Sequence, residues 1–205
     1  MDKRIIEIAD KMNKKGFIAE CVSTGEEAKN RVLEILEGDS SVGIGGSVTV
    51  SKTGIYTALA ENGFEIYSAA HAVKTGGDMD EARRKGLTAD AYLLSANAVT
   101  EDGCIINIDG TGNRVAAAIY GPEKVVYVIG KNKVVKDFTE GIERIKRNAC
   151  PPNARRLGYN TPCAVTGKCA DCRSKDRMCN VTSIVEFPLR GKQTHVIFID
   201  ADFGY

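Results

Sequence analysis

The chain lacks a long hydrophobic segment and any large excess of charge of one sign. None of its apolar runs approaches the roughly 18 residues that a membrane-spanning helix needs. Lys and Arg number 28 against 27 Asp and Glu, so the net charge of +1 excludes a strongly basic nucleic-acid-binding protein and an acidic disordered chain. Charged residues interrupt the apolar positions of residues 1–7, so we expect no signal peptide and a soluble, cytoplasmic protein.

Strand-like and helix-like segments alternate along the chain without an internal repeat. Apolar residues recur at helical spacing in residues 1–15, and residues 24–27 form a capping box that starts a second helix. This order predicts one α/β domain over residues 1–205, with a mostly parallel, Rossmann-like sheet and helices on both faces. Residues 181–187 and 195–199 are expected to close the chain as an antiparallel pair of strands.

A later helix is predicted over residues 135–148, where apolar residues recur at spacings of three and four. Glu140 and Arg144 are expected to form an ion pair on its solvent-exposed side. Pro151 and Pro152 are expected to end the helix.

Ligands of open α/β sheets bind beyond the carboxyl ends of the strands. Four segments of this chain follow predicted strands in that way: residues 43–47, 68–74, 95–102 and 130–133. Lys133, in the last of them, is a candidate for contacting an anionic ligand, although a solvated lysine is the commoner case.

The glycine-rich segment after the second strand matches no nucleotide-binding motif. It lacks the Gly-Lys-Ser/Thr of a Walker A loop, and Val48 stands where the dinucleotide fingerprint has its last glycine. Glycines nevertheless allow backbone N–H groups to converge on an anion. Gly45, Gly46 and Ser47 are therefore candidates for binding an anionic ligand or cofactor, and the alternative is a tight turn between strand and helix.

Polar residues concentrate around two turns between residues 95 and 114. Asp102-Gly103 predicts a hairpin, and a glycine-rich turn then leads from its second strand into a helix. The candidate catalytic residues of this region are Asn97, Glu101, Asp109 and Arg114. Glu101 or Asp109 would act as acid or base and Arg114 would bind a carboxylate, whereas the alternative role of Asp109 is an Asx turn.

Five of the seven cysteines fall in the Cys-rich loop, residues 150–180. Four of them follow the spacing C-x5-C-x2-C-x6-C: Cys163, Cys169, Cys172 and Cys179. The stretch from Cys163 to Cys179 has almost no apolar residues, so burial cannot order it and a bound metal could. Four thiolates suit zinc or an iron–sulfur cluster. Free thiols or one local disulfide are the alternative, and Cys150 is a possible replacement for one ligand.

Six motifs together resemble the lactate utilization (LUD) domain family over nearly the whole chain. They are GIGGSVT (43–49), NAVTEDG (97–103), NIDGTGNR (107–114), GKNK (130–133), PNARR (152–156) and TPCAVTGKC (161–169). The resemblance implies a single LUD domain over residues 1–205. It also implies the fold shared by ribose-5-phosphate isomerase, glucosamine-6-phosphate deaminase and CoA transferases.

The same resemblance implies a role in oxidation of L-lactate or a related 2-hydroxy acid, beside redox subunits of lactate utilization. A small anionic metabolite would then bind at the strand ends, with an iron–sulfur cluster or zinc in the Cys-rich loop, and the chain could form oligomers. The alternatives are a non-catalytic electron-transfer or assembly subunit and, on the same fold, an enzyme similar to phosphosugar isomerases or CoA transferases.

A more distant similarity is to methylthioribose-phosphate isomerase and its relatives. Ser95-Ala96-Asn97, Asp102-Gly103 and Asp109-Gly110-Thr111 occupy places similar to motifs of those enzymes. Asn97 stands where the isomerases have a catalytic aspartate, and an amide does not accept the proton of an aldose–ketose isomerisation. The similarity therefore implies a retained pocket with a changed reaction.

Overall fold

The computed structural model describes residues 1–205 and contains ten strands and ten α-helices. The strands are β1 Ile18–Val22, β2 Ser41–Ile44, β3 Glu65–Tyr67, β4 Ala91–Leu94, β5 Ala98–Thr100, β6 Ile105–Asp109, β7 Lys124–Gly130, β8 Val134–Val135, β9 Val181–Val185 and β10 Gln193–Ile199. The helices are α1 Lys3–Lys14, α2 Gly25–Ile35, α3 Val48–Lys52, α4 Ile55–Glu61, α5 Ala69–Thr75, α6 Met79–Lys85, α7 Asn113–Tyr120, α8 Phe138–Arg144, α9 Cys150–Arg156 and α10 Pro162–Thr166. None of these helices combines the length and the apolar character that crossing a bilayer requires.

The main sheet has six parallel strands in the order β1-β10-β7-β4-β2-β3. Helices α1 and α7 bury apolar residues on one face, and helices α2, α3 and α4 bury theirs on the other. The predicted α/β class, with helices on both faces, is confirmed. Because all six strands are parallel, their carboxyl ends lie along one edge of the sheet.

A second, smaller sheet has the order β8-β5-β6-β9. Strands β5 and β6 form the predicted hairpin, in which Gly103 adopts a φ of 85° that favours glycine. Ile106 and Ile108 of β6 pack with Ile145 and Cys150 from the helical segment behind the sheet. This sheet continues directly from β4, so its first residues lie at the carboxyl edge of the main sheet.

The predicted antiparallel pairing of the last two strands is wrong, although both strands exist. Strand β9 pairs with β6 in the small sheet, and β10 inserts in parallel between β1 and β7 of the main sheet. The apolar run Val196–Ile199 is fully buried, as is typical of an interior strand covered by helices on both faces. The two strands are close in sequence, which favours a hairpin. The apolar residues of β10 are instead buried on both faces, which favours a position inside the main sheet.

The helix predicted over residues 135–148 is interrupted in the structure. Helix α8 ends at Arg144, a π-helical turn covers Ile145–Ala149, and α9 then continues through both prolines to Arg156. Proline is tolerated in the first turn of a helix because its missing N–H has no partner there. Pro151 and Pro152 therefore lie at the start of a helical segment instead of ending one.

Candidate functional site

Lys133 lies at the centre of the candidate site, at the carboxyl edge of the main sheet. Its side chain is only 3% exposed, although lysine is rarely buried. The Nζ donates to the Ser95 hydroxyl at 2.7 Å and to the Thr49 hydroxyl at 2.8 Å. These three residues follow or flank β7, β4 and β2, so the topology brings together segments that are far apart in the sequence.

The Lys133 ammonium forms no ion pair with a carboxylate; its side-chain partners are two hydroxyl groups. Burial, followed by the charges of Arg144 and Arg114, lowers its pKa well below the usual range. A buried cation without a counter-ion is costly, and a bound anion would remove that cost.

Arg144 brings a second cation to the same region. Its Nε donates to the Asn132 carbonyl at 3.0 Å and its Nη1 to the Asn97 carbonyl at 2.8 Å. Burial lowers the pKa of its guanidinium, while Asp202 has the opposite effect. The predicted ion pair with Glu140 is wrong, because Arg144 turns toward the strand ends and the Glu140 carboxylate accepts from the Lys136 N–H.

Arg114, Asp109 and Asn97 form one hydrogen-bonded group beside these cations. The Arg114 Nε donates to the Asp109 carboxylate at 3.0 Å, and its Nη2 donates to the Asn97 side-chain carbonyl at 3.1 Å. The other Asp109 oxygen accepts from the N–H groups of Thr111 and Gly112. Asp109 thus forms the Asx turn considered above and also holds Arg114 in position.

The Asn97 amide has a positioning role in this geometry. Its Oδ1 accepts from the Ile108 N–H at 2.9 Å as well as from Arg114. The side chain therefore joins the start of β5 to the end of β6 and orients the guanidinium.

The glycine-rich loop after β2 contacts the same group. A Cβ on Gly45 would lie 2.7 Å from the Arg114 Cγ, so glycine permits the arginine stem to cross the loop there. Gly46 has open space around it, and the Ser47 hydroxyl accepts from the Val50 N–H as the N-cap of α3. The two regions predicted separately from the sequence are thus adjacent.

Glu101 lies apart from the other predicted residues. It follows β5 at the turn of the hairpin, and its carbonyl accepts from the Lys11 side chain at 2.8 Å. Asp109 lies at the opposite end of β6. The structure brings together Gly45, Asn97, Asp109, Arg114 and Lys133, and leaves Glu101 beside α1.

Sequence reasoning missed three contributors, Thr49, Ser95 and Arg144. Ser95 directly follows a strand and lay within a predicted ligand-binding segment, so position was an available signal. Thr49 ends the GIGGSVT motif but lies beyond the predicted segment 43–47, and Arg144 was predicted on the exposed side of a helix.

The segment Phe203–Gly204 covers this region from the end of the chain. The Thr49 hydroxyl donates to the Phe203 carbonyl at 3.1 Å, and the Asn132 side chain donates to the Gly204 carbonyl at 3.3 Å. A Cβ on Gly204 would lie 3.5 Å from the Lys133 Nζ. The segment therefore shields the lysine from water.

A second candidate site is the five-cysteine pocket of the Cys-rich loop. It is lined by Cys150, Cys163, Cys169, Cys172 and Cys179, together with Thr161, Ala170, Arg177 and Met178. All seven cysteines of the chain are free thiols. Burial raises the pKa of Cys150 to about 12, and the charges of neighbouring thiolates contribute.

The cysteines of this pocket are the type of ligand that binds zinc or an iron–sulfur cluster. No three His, Cys, Asp or Glu side chains converge closely enough to hold a metal ion as the chain stands. Asp171, between Cys169 and Cys172, has a φ of 45°, a left-handed conformation that Asp tolerates better than most residues. Arg177 donates to the Cys172 carbonyl and, at 3.1 Å, to the Cys179 carbonyl.

The Cys-rich loop contacts the first site at its end. The Asn180 N–H donates to the Asp109 carbonyl at 3.0 Å, and the Asn180 side chain donates to the Gly110 carbonyl at 3.0 Å. Gly110 also packs on Met178, where an added Cβ would lie 3.1 Å from the backbone. The turn that positions Arg114 is therefore packed against the loop that carries the cysteines.

A surface depression lies at the opposite edge of the main sheet. It is lined by charged residues that include Asp39 and Lys124, which pair with each other at 2.7 Å. Because Asp90 and Glu123 also line it, the depression is net negative and does not suit an anionic ligand.

The fold and the first site define an open, parallel α/β domain with a buried lysine and two half-buried arginines at the carboxyl ends of its strands. The family model described as LUD domain matches residues 5–199, so the chain belongs to the LUD domain family. A DUF162 family protein from Deinococcus radiodurans is similar in structure, with a TM-score of 0.55, 14% identity and 97% of each chain covered. At that identity the likeness shows the fold alone. A search of curated proteins found no match.

Proposed function

We propose that this LUD domain binds a small carboxylate of the 2-hydroxy- or 2-oxo-acid class, such as L-lactate or pyruvate, in lactate utilization. The observation that carries the proposal is the buried Lys133, whose side-chain partners are two hydroxyl groups. Buried charges are normally paired, so an anionic ligand supplies the missing partner. Membership of the LUD family supports the choice of acid.

The site offers two cationic side chains to a single anionic group. Asp109 already neutralises Arg114, which leaves Lys133 and Arg144 without a carboxylate partner. We expect both to contact the ligand carboxylate, because charge-assisted hydrogen bonds are stronger than neutral ones. The Ser95 hydroxyl, whose donor contacts are both 3.4 Å long, is then available to the ligand's hydroxyl or keto oxygen, whereas the Thr49 hydroxyl already donates to the Phe203 carbonyl.

Oxidation of a 2-hydroxy acid releases two electrons, which must pass to an acceptor. We assign to this chain the binding and orientation of the acid, and we propose redox subunits of lactate utilization as its partners. Turnover of L-lactate by the isolated chain with an added electron acceptor would identify it as the catalytic component. Binding without turnover would favour the alternative of a non-catalytic subunit.

Isothermal titration calorimetry with L-lactate, pyruvate, inorganic phosphate and the uncharged lactamide tests the proposal. We expect the two acids to bind and lactamide not to bind. Lys133→Met should weaken acid binding tenfold or more, whereas Lys131→Met, in the same turn, should leave it unchanged because Lys131 pairs with Asp200 at 2.9 Å.

Three results would contradict the proposal. They are no binding of either acid, equal binding by Lys133→Met, and binding of phosphate alone. The last would favour the phosphosugar class of enzyme.

A further inference from the structure

The five-cysteine pocket points to a function separate from acid binding. We propose that its four loop cysteines, Cys163, Cys169, Cys172 and Cys179, hold an iron–sulfur cluster. Acid binding and the cluster involve different side chains, so either proposal can fail without the other.

The strong metal-binding side chains that line the pocket are all cysteines. No His, Asp or Glu side chain lines it, and its other walls come from Thr161, Ala170, Arg177 and Met178. Soft thiolate ligands select zinc, copper(I) or iron–sulfur clusters over metals that prefer oxygen. The segment between α10 and β9 also has few apolar residues, so a bound group would supply the order that burial does not.

The spacing of the cysteines favours a cluster over a single ion. The loop has one C-x2-C pair, Cys169 and Cys172, where structural zinc sites typically have two such close pairs. Iron–sulfur sites also use one C-x2-C pair together with more distant cysteines, as in the spacing C-x4-C-x2-C…C.

Positive charge beside the pocket suits a group that carries net negative charge. Arg177 lines the pocket and donates to the carbonyls of Cys172 and Cys179. Lys146 and Arg177 share the single carboxylate of Asp171, at 3.9 Å and 2.9 Å, so the three groups carry one net positive charge. That charge would offset part of the charge of four thiolates.

Cys150 is the fifth thiol, and it is the only one of the five that is buried. It begins helix α9 and packs in an apolar cluster with Ala98, Ile106 and Ala149, which Cys179 contacts from a partly buried position. We therefore assign it to the wall of the pocket and the four loop cysteines to the cluster. This assignment makes Cys150 a nearby control.

The test is anaerobic purification from iron-supplied cells, followed by visible absorption spectroscopy and assays of iron, sulfide and zinc on one sample. We expect broad brown absorption that bleaches with dithionite, and equal amounts of iron and sulfide, about two or about four of each per chain. Serine variants at Cys163, Cys169, Cys172 and Cys179 should each lose most of the iron. Cys150→Ala and Cys21→Ser should keep it.

Circular dichroism of every variant separates loss of the cluster from loss of the fold. A colourless protein with one zinc per chain, or a metal-free protein with seven titratable thiols after anaerobic reconstitution with iron and sulfide, would overturn the proposal. Loss of iron in Cys150→Ala with retention in one loop variant would overturn the choice of ligands.

Discussion

The buried lysine makes a quantitative prediction about stability and pH. In the unfolded chain Lys133 should titrate near its ordinary pKa of about 10.4, whereas burial and two neighbouring arginines lower its pKa in the folded protein. Between those two values the unfolded state binds more protons, so the free energy of unfolding should rise with pH. The slope for one proton is at most about 1.4 kcal/mol per pH unit, and it applies over the range of pH between the lowered folded-state pKa and about 10.4.

Urea denaturation of the wild type and of Lys133→Met across that range measures the effect. The difference between the two proteins isolates Lys133 from His195, whose lowered pKa acts at lower pH, and from the buried thiols and tyrosines, which act at higher pH. We expect the wild type to gain stability relative to the variant as pH rises. Parallel curves would refute the reasoning, because they would mean that Lys133 titrates normally or is reached by water.

The remaining predictions concern the two sites. Acid binding should take up a proton and weaken as pH rises above the lowered lysine pKa, which calorimetry in buffers of different ionisation enthalpy would detect. Arg144→Gln should weaken acid binding tenfold or more, whereas Arg147→Gln on the exposed side should not. Gly45→Ala should cost about 1–3 kcal/mol of stability and disturb Arg114, whereas Gly46→Ala should be nearly neutral in a denaturant titration. Removing the proposed cluster with a chelator should speed tryptic cleavage after Lys168, which is already exposed, because the loop would lose order. An unchanged cleavage rate would show that the loop is ordered without the cluster.

The convergence of strand ends was predictable from the sequence. The order of strands and helices implies a parallel sheet, and a parallel sheet collects its carboxyl ends at one edge. The sequence therefore predicts that Gly45, Asn97 and Lys133 lie at one edge of the sheet. In the structure all three lie near Arg114 or Arg144.

The direction of individual side chains was not predictable to the same degree. Glu101 follows a strand, but the hairpin turn carries it to the far end of β6, away from the edge that binds ligands. The final strand β10 illustrates the same limit, because neighbours in sequence suggested a hairpin and burial on both faces placed it inside the sheet.

Arg144 shows why periodicity alone misled the assignment of its partner. Periodicity places Glu140 and Arg144 one turn apart on the solvent side, and both do lie in α8. They do not pair because the Glu140 carboxylate accepts from the Lys136 N–H and Arg144 donates to two backbone carbonyls at the strand ends. A π-helical turn then covers Ile145–Ala149, and such turns occur frequently at functional sites. One continuous helical segment thus directs Arg144 to the strand ends and then carries Cys150 into the wall of the cysteine pocket. The residues before and after the π turn thus contribute to two different sites. The spacing of apolar residues in the sequence does not predict where such a change of helical pitch occurs.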